Sequence, residues 1–398
     1  METLQSSHFR DYTTFKGNND MRIKTASIFL FAILLLVLLF SCEENSIAVF
    51  YSLEHESEVE DNKSLDNDIT VTNIERFGDY YYISAGNLYR RDTKGSTQKW
   101  VRHSEWPGWD SATGELKDGL CTEFTVFNET IYAIFYSVDG TETGLFQYNG
   151  NEWKKIENGL TGLRLDKILS INQTLFVAAR DSGSSSWKLY FSRDGESFTD
   201  TGIGDFFRPI ISGTWVPDTA ATDSGTFYLV TGKKVYSGDD PENLSVAEDF
   251  PSADNGYGGI YYSRALKVLF LSTADGYVHA NDGSGWGTSN QAEGVSLTDM
   301  EELNVDDNIV IVVGSSNGYY EIIVAEETGL DKDNIVLRIP GTGAYYSTNI
   351  NYLNTTLSSA VILKFYRDEE KDYLFGCTSG EGLWRNQQAN GYRLWNRE

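Results

Sequence analysis

The chain is short of the residues that usually carry chemistry or stop a strand: six prolines, four histidines, three cysteines and three methionines in 398 residues. His55, His103 and His279 are scattered without ligand spacing, which argues against a histidine zinc site. Asp-rich turns such as "DKDN" (Asp331–Asn334) lack the glycine and distal glutamate of a calcium loop, so no metal is expected. No Gly-x-Ser-x-Gly elbow and no phosphate-cradling loop occurs, so neither a catalytic residue nor a cofactor is assigned. Basic charge is also scarce. With 32 Lys and Arg against 58 Asp and Glu the formal charge is −26, and without residues 1–41 it is −27. A surface of that sign repels phosphate backbones and anionic lipid, which excludes nucleic acid as a natural partner.

Aromatics and glycine, by contrast, are plentiful: 24 Tyr, 21 Phe, 9 Trp and 37 Gly. That mixture favours strands joined by glycine turns. "GLFQYNGNEWKKI" (Gly144–Ile156) recurs imperfectly as "NLYRRDTKGSTQKWV" (Asn87–Val101), "KLYFSRDGESF" (Lys188–Phe198), "GYVHANDGSGW" (Gly276–Trp286) and "GLWRNQQANGYRLW" (Gly382–Trp395). Aligning Leu88, Leu145, Leu189, Val235, Tyr277, Tyr319 and Leu383 gives spacings of 57, 44, 46, 42, 42 and 64 residues. Strand repeats of about 40–50 residues mark a propeller.

Each copy reads as four strands. An outlying strand leads in, as in "CTEFTVF" (Cys121–Phe127), and a tight turn follows at Asn128 or Asn172. The second strand is apolar throughout, for example "IYAIFY" (Ile131–Tyr136) and "IVIVV" (Ile309–Val313), so both its faces should be buried. The third is the recurring motif, and the fourth carries a closing aromatic: Trp100, Trp153, Phe198, Trp286 or Trp395. One such sheet cannot cover both faces alone, whereas radial neighbours cover each other. The expectation is all-β: a seven-bladed β-propeller over 69–398, with six or eight blades open because the copy at Arg208–Phe250 is degenerate. Cys121 and Cys377 fall in copies two and seven, which do not adjoin, so no disulfide is expected.

The one long hydrophobic run, Ile28–Phe40, follows Arg22 and Lys24 and suits the core of a signal peptide, with Met21 a plausible start. It ends in "LFSC" (Leu39–Cys42), which resembles the lipobox of bacterial lipoproteins, Phe40 being bulkier than usual there. The resemblance implies a leader over 1–41, lipidation of Cys42, and a membrane-anchored lipoprotein of the bacterial cell envelope, facing the periplasm or the outer surface. Residues 42–68 hold nine acidic residues and one lysine, and read as a disordered, self-repelling tether.

"SRDGESF" (Ser192–Phe198) resembles the Asp-box of sialidase-like propellers, Ser-x-Asp-x-Gly-x-x-Trp, with one residue missing and Phe198 in place of Trp. The resemblance implies a structural turn at Ser192, Asp194, Gly195 and Phe198, remote from any active site. Sialidases also carry an Arg-Ile-Pro motif early in the chain. Here "LRIP" (Leu337–Pro340) falls in the sixth copy, on what reads as an outer strand, and no set of three arginines with a paired Tyr and Glu accompanies it.

Propeller topology places inter-blade connections and second-to-third hairpins on one face. The long inserts rise there, with Trp106, Trp109, Tyr345 and Tyr346, joined by Tyr257 in "DNGYGG". Exposed aromatics among acidic loops suit recognition of a protein or glycan. The sequence thus points to a monomeric, non-catalytic binding or scaffolding module, anchored to the membrane by lipid only. A glycan-binding or glycan-hydrolysing sialidase-like propeller is the alternative.

Overall fold

The second strand of blade 2, Thr130–Tyr136, shows how this chain buries itself. Ile131, Ala133 and Phe135 point one way and pack with Tyr82 and Leu88 of blade 1. Tyr132 and Ile134 point the other way and pack with Leu175 and Val177 of blade 3. The same division recurs on Asn308–Ser315 of blade 6, where Ile309, Ile311 and Val313 join Val268 and Phe270 of blade 5. There Val310 and Val312 join Ile362 and Phe365 of blade 7. Side chains alternate across a strand, so an apolar run with no polar alternation commits both faces to burial. Each of the seven apolar clusters is a seam between two blades.

The computed structural model describes residues 65, 68–94, 99–103, 120–137, 140–204, 206, 210–218, 224–305, 308–325, 328–340, 357–389 and 392–398. They belong to one compact unit, Val59–Glu398, and form a seven-bladed β-propeller of antiparallel sheets. Six blades have four consecutive strands; blade 6 has three, with a single bridge from Glu321 to Arg338 where its fourth would run. "LRIP" therefore lies at the outer edge of blade 6, away from the axis. The region 208–250 is a full blade of four strands, 212–246, despite its weak repeat. Among the described residues, helix is limited to three single turns, at Pro241–Asn243, Lys332–Asn334 and Leu357–Ser359.

The lead-in strands are not outlying. They neighbour one another in sequence around the axis, from Asn73–Phe77 of blade 1 to Val361–Asp368 of blade 7 and back, and are the innermost strands. Polar residues on them, such as Glu75, Glu123, Lys167, Asp299 and Lys364, face the channel. Those of blades 2, 3, 5, 6 and 7 carry a register shift. Such bulges bend and twist a strand, which suits strands crowded round an axis. The turns at Asn128–Glu129 and Asn172–Gln173 hold positive φ at both residues (48° and 53°; 42° and 56°), the two-residue hairpin that matches strand twist.

In the turn after Lys188–Ser192, the Ser192 hydroxyl bonds Asp194 Oδ1 (2.8 Å) and accepts from the Gly195 amide (2.8 Å). Asp194 Oδ1 also accepts from the amides of Glu196 and Ser197, both at 2.8 Å. These amides hold its carboxyl below the usual range. Phe198 then inserts into the seam between blades 2 and 3.

Among the described residues the ring closes without strand exchange between its first and last blades. Leu65, within the stretch read as tether, is buried in that seam with Val71, Ile74, Phe375 and Leu383. The amide of Val71 donates to Thr378 O (3.0 Å) and that of Gly382 to Ile69 O (2.9 Å). Beside them the buried Glu398 carboxylate pairs with Arg91 of blade 1 and with Arg385 Nε of blade 7 (2.8 Å). Arg91 also stacks on Trp100 and Arg385 on Tyr373. Burial, then the Arg385 charge, pulls the Arg91 guanidinium down to about 10.

Two stability predictions follow from these contacts. Removing one partner of a buried ion pair strands the other charges, so Glu398→Ala should cost about 3–5 kcal/mol in denaturant unfolding. An unchanged midpoint would show that the cluster does not clasp the ring. Gly195 sits at φ 77°, and a Cβ there would run into the Tyr132 hydroxyl of blade 2. Gly195→Ala should therefore lower stability by about 1–3 kcal/mol, while Gly150→Ala, at positive φ in open space, should cost less.

Candidate functional site

The innermost strands enclose a cavity of about 500 Å³ on the propeller axis. Glu75, Glu123, Lys167, Asp299, Glu301 and Lys364 line it. Alternation dictates this: neighbouring residues on these strands, such as Ile74, Phe124 and Met300, face the blade seams and are buried there.

Most of these charges tie one blade to the next. Glu75 Oε2 of blade 1 accepts from the Val126 amide of blade 2 (2.7 Å). Lys167 of blade 3 bonds Glu123 Oε1 of blade 2 (2.8 Å). Asp299 of blade 6 accepts from the Phe365 amide of blade 7 (2.9 Å). Lys364 of blade 7 returns to blade 1, donating to Asn73 Oδ1 (2.5 Å) and lying 3.5 Å from Glu75 Oε1. Uncharged links fill in between, such as Ser272 Oγ to Thr298 O (2.5 Å) from blade 5 to blade 6.

Burial in this narrow space shifts the titration of its acids. Burial raises Asp299 above the carboxylate range, opposed by the Phe365 amide. Burial likewise raises Glu123, opposed by Lys167. Burial works against the Lys364 charge, but Glu75, Asp299 and Glu123 outweigh it and hold that ammonium above its ordinary value. Glu301 is pushed up to about 7, chiefly by burial and further by Asp299. The Glu302 amide donates to it (2.9 Å), the Tyr261 hydroxyl bonds it, and Arg367 lies near; all three pull the other way. Among the described residues no group of three or more His, Cys, Asp or Glu could hold a metal ion.

Cys42, Trp106, Trp109, Tyr345 and Tyr346 lie outside the described residues. Tyr257 is buried in the seam between blades 4 and 5, its hydroxyl donating to Pro251 O (2.7 Å). Cys121 and Cys377 are free and buried. His103 is enclosed by Tyr82, Tyr148 and Trp153, and burial draws it down to about 4. His279 bonds Thr288 Oγ1 (2.9 Å) across its hairpin.

Sequence reasoning missed a hollow of about 880 Å³ on the face formed by the first-to-second hairpins. Trp215, Tyr228 and Tyr262 line it half-buried, with Asn172, Asn281 and Arg264 around them. Those aromatics sit on strands whose regularity reads as core, so only the fold brings them together.

The Glu301 shift has a definite sign. Its folded pKa stands above the ordinary 4.5, so the neutral form is favoured. Stability is full below about 4.5, declines as pH rises to about 7, and levels off above. Glu301→Gln should therefore raise stability at pH 8 by about 1–3 kcal/mol and flatten the profile between pH 5 and 8. Parallel pH profiles for variant and wild type would contradict the channel placement of this carboxyl.

No family model matches the chain, and no curated protein does. Solved structures of similar fold include a GH74 enzyme of Niastella koreensis, 15% identical with TM-score 0.55, covering 83% of this chain and 54% of that one. The chain thus spans about half the length of that enzyme. They also include YCF48 from Cyanidioschyzon merolae, 12% identical with TM-score 0.51, covering 81% of this chain and 96% of that one. At such identities the likeness is one of fold: this chain is a β-propeller.

Proposed function

We propose that this protein is a lipid-anchored β-propeller of the bacterial cell envelope that binds a partner protein and catalyses no reaction. The observation that carries this reading is the occupation of the channel acids. Glu75, Glu123 and Asp299 are engaged with amides or lysines of neighbouring blades. A hydrolase needs an acid and a base directed at substrate, whereas these groups are directed at the ring itself. That shifts recognition to the faces, where loops on a rigid scaffold present varied side chains. The chain's charge of −26 counts against nucleic acid, and the reading is of a monomer held to the membrane by the Cys42 lipid alone. The turn at Ser192–Phe198 is, on this reading, a shortened Asp-box whose task is structural.

The aromatic hollow favours a second reading. Trp215, Tyr228 and Tyr262 beside Asn172 and Asn281 suit the apolar face and hydroxyls of a sugar. That would make the module a glycan binder.

The tests use the whole chain expressed in a bacterium. Wild type should enter the detergent phase on partitioning and Cys42→Ala the aqueous phase; equal partitioning ends the anchor. Wild type should capture a discrete protein from envelope extract, and the Trp106→Ala, Trp109→Ala double variant should lose it. Glycan-array binding abolished by Trp215→Ala, with no protein captured, would replace the first reading by the second.

A further inference from the structure

A cavity of about 690 Å³ opens at the seam of blades 2 and 3, on the face opposite the aromatic hollow. It lies where the blade 2 hairpin at Thr141–Thr143, the connection around Thr161 and the blade 3 hairpin at Ser182–Ser185 meet. Two arginines line it, Arg164 on the innermost strand of blade 3 (Leu163–Ile171) and Arg180 on the second (Thr174–Asp181).

These arginines are direct cross-strand partners. The bulge makes them so. Ala178 pairs with Lys167 but Ala179 with Leu165, leaving Asp166 as the extra residue. Unbulged pairing would set Arg180 opposite Leu165. Like charges directly opposite across two strands are destabilising. The fold does not ask for them: the same position beyond the bulge holds Leu120 and Tyr136 in blade 2, and Val361 and Ser379 in blade 7.

Both guanidiniums are half-buried and held in place. Arg164 lies over the Tyr136 ring of blade 2 (5.7 Å). Arg180 lies over Trp187 (4.7 Å) and donates Nη1 to Ser184 O (3.0 Å). Among the described residues no carboxylate is in ion-pair contact with either. Asp166 senses both only through space, and burial holds its own carboxyl above the usual range. In a chain of charge −26, two adjacent half-buried arginines without a carboxylate partner among the described residues invite another explanation.

Resting on the protein-binding reading, we infer that Arg164 and Arg180 form a seat for a carboxylate of the partner protein, a Glu or Asp side chain or a chain terminus. Two planar forks side by side match a carboxylate, which can accept from both. Glu142 and Glu157 also line the cavity, Glu157 paired with Lys155 (3.0 Å), and Asp166 interacts through space with both arginines; these carboxylates disfavour a dianion such as phosphate relative to a single carboxylate. Leu160 and Leu163 in the wall suit the aliphatic part of a peptide.

The test titrates the purified full chain with acetyl-Ala-Leu-Glu-Leu-amide, its Gln counterpart and inorganic phosphate, following Trp fluorescence and the thermal midpoint. The Glu peptide should bind and the Gln peptide should not. Arg164→Gln and Arg180→Gln should each weaken binding about tenfold to a hundredfold, as for lost charge-assisted bonds. Without peptide, both variants should melt no lower than wild type, since the like-charge pair is gone. No binding at millimolar concentration, equal binding of both peptides, or phosphate outcompeting the Glu peptide would each overturn the assignment. The same variants enter the envelope capture assay. A partner retained by both would sink this seat and spare the binding reading; peptide binding lost in the variants with no partner ever captured would do the reverse.

Discussion

Every blade of this protein depends on having a neighbour on each side. The second strands are apolar on both faces, and burying one Val, Leu, Ile or Phe is worth about 1.5–3 kcal/mol. A blade at an open end would leave half of that surface in water. The ring must therefore close, and the seam between blades 7 and 1 carries contacts distant in sequence: Leu65 and Phe375 in one cluster, Arg91 and Arg385 around Glu398, Lys364 with Glu75. Among the described residues closure joins blades without exchanging a strand, and side chains and a few backbone bonds hold the seam.

The channel wall follows from the same constraint. An innermost strand with one face in the seam has its other face on the axis, where seven strands converge on a narrow space. Polar side chains there must find partners or stay wet. In this protein they find them across the seams, so the acids and lysines of the axis act as a second, polar ring inside the apolar one. Burial on the axis is what raises the Glu123, Asp299 and Glu301 carboxyls. Perturbed titration marks functional sites only where the group is aimed at something other than its own fold.

The repeat was legible because it is enforced by packing: the aromatic that ends each third-strand motif plugs a seam, as Phe198 does between blades 2 and 3. The hairpins at Asn128 and Asn172 were legible because asparagine tolerates the φ they require. The position of the lead-in strands was not. "CTEFTVF" has the mixed polarity of an outer strand and of a channel strand alike, and only the ring distinguishes them. Blade 4 read as a degenerate copy for a related reason: Ser212–Pro217 is partly buried throughout. Arg164 and Arg180 stand sixteen positions apart, and nothing local signals that a bulge at Asp166 sets them face to face.

That bulge separates what the ring requires from what it leaves free. On the channel side of it, residues must fit the axis and staple the seams, as Lys167 does with Glu123. Beyond it the strand leaves the crowded centre and opens toward the face, where blades 2, 3 and 7 place a Leu–Tyr, an Arg–Arg and a Val–Ser pair at one structural position. Chemistry that varies so widely at a fixed position is not demanded by folding. A propeller with a committed channel thus keeps its adaptable positions just past the bulges, and the pair that stores like-charge repulsion there is where selection has the clearest reason to favour a bound anion over stability.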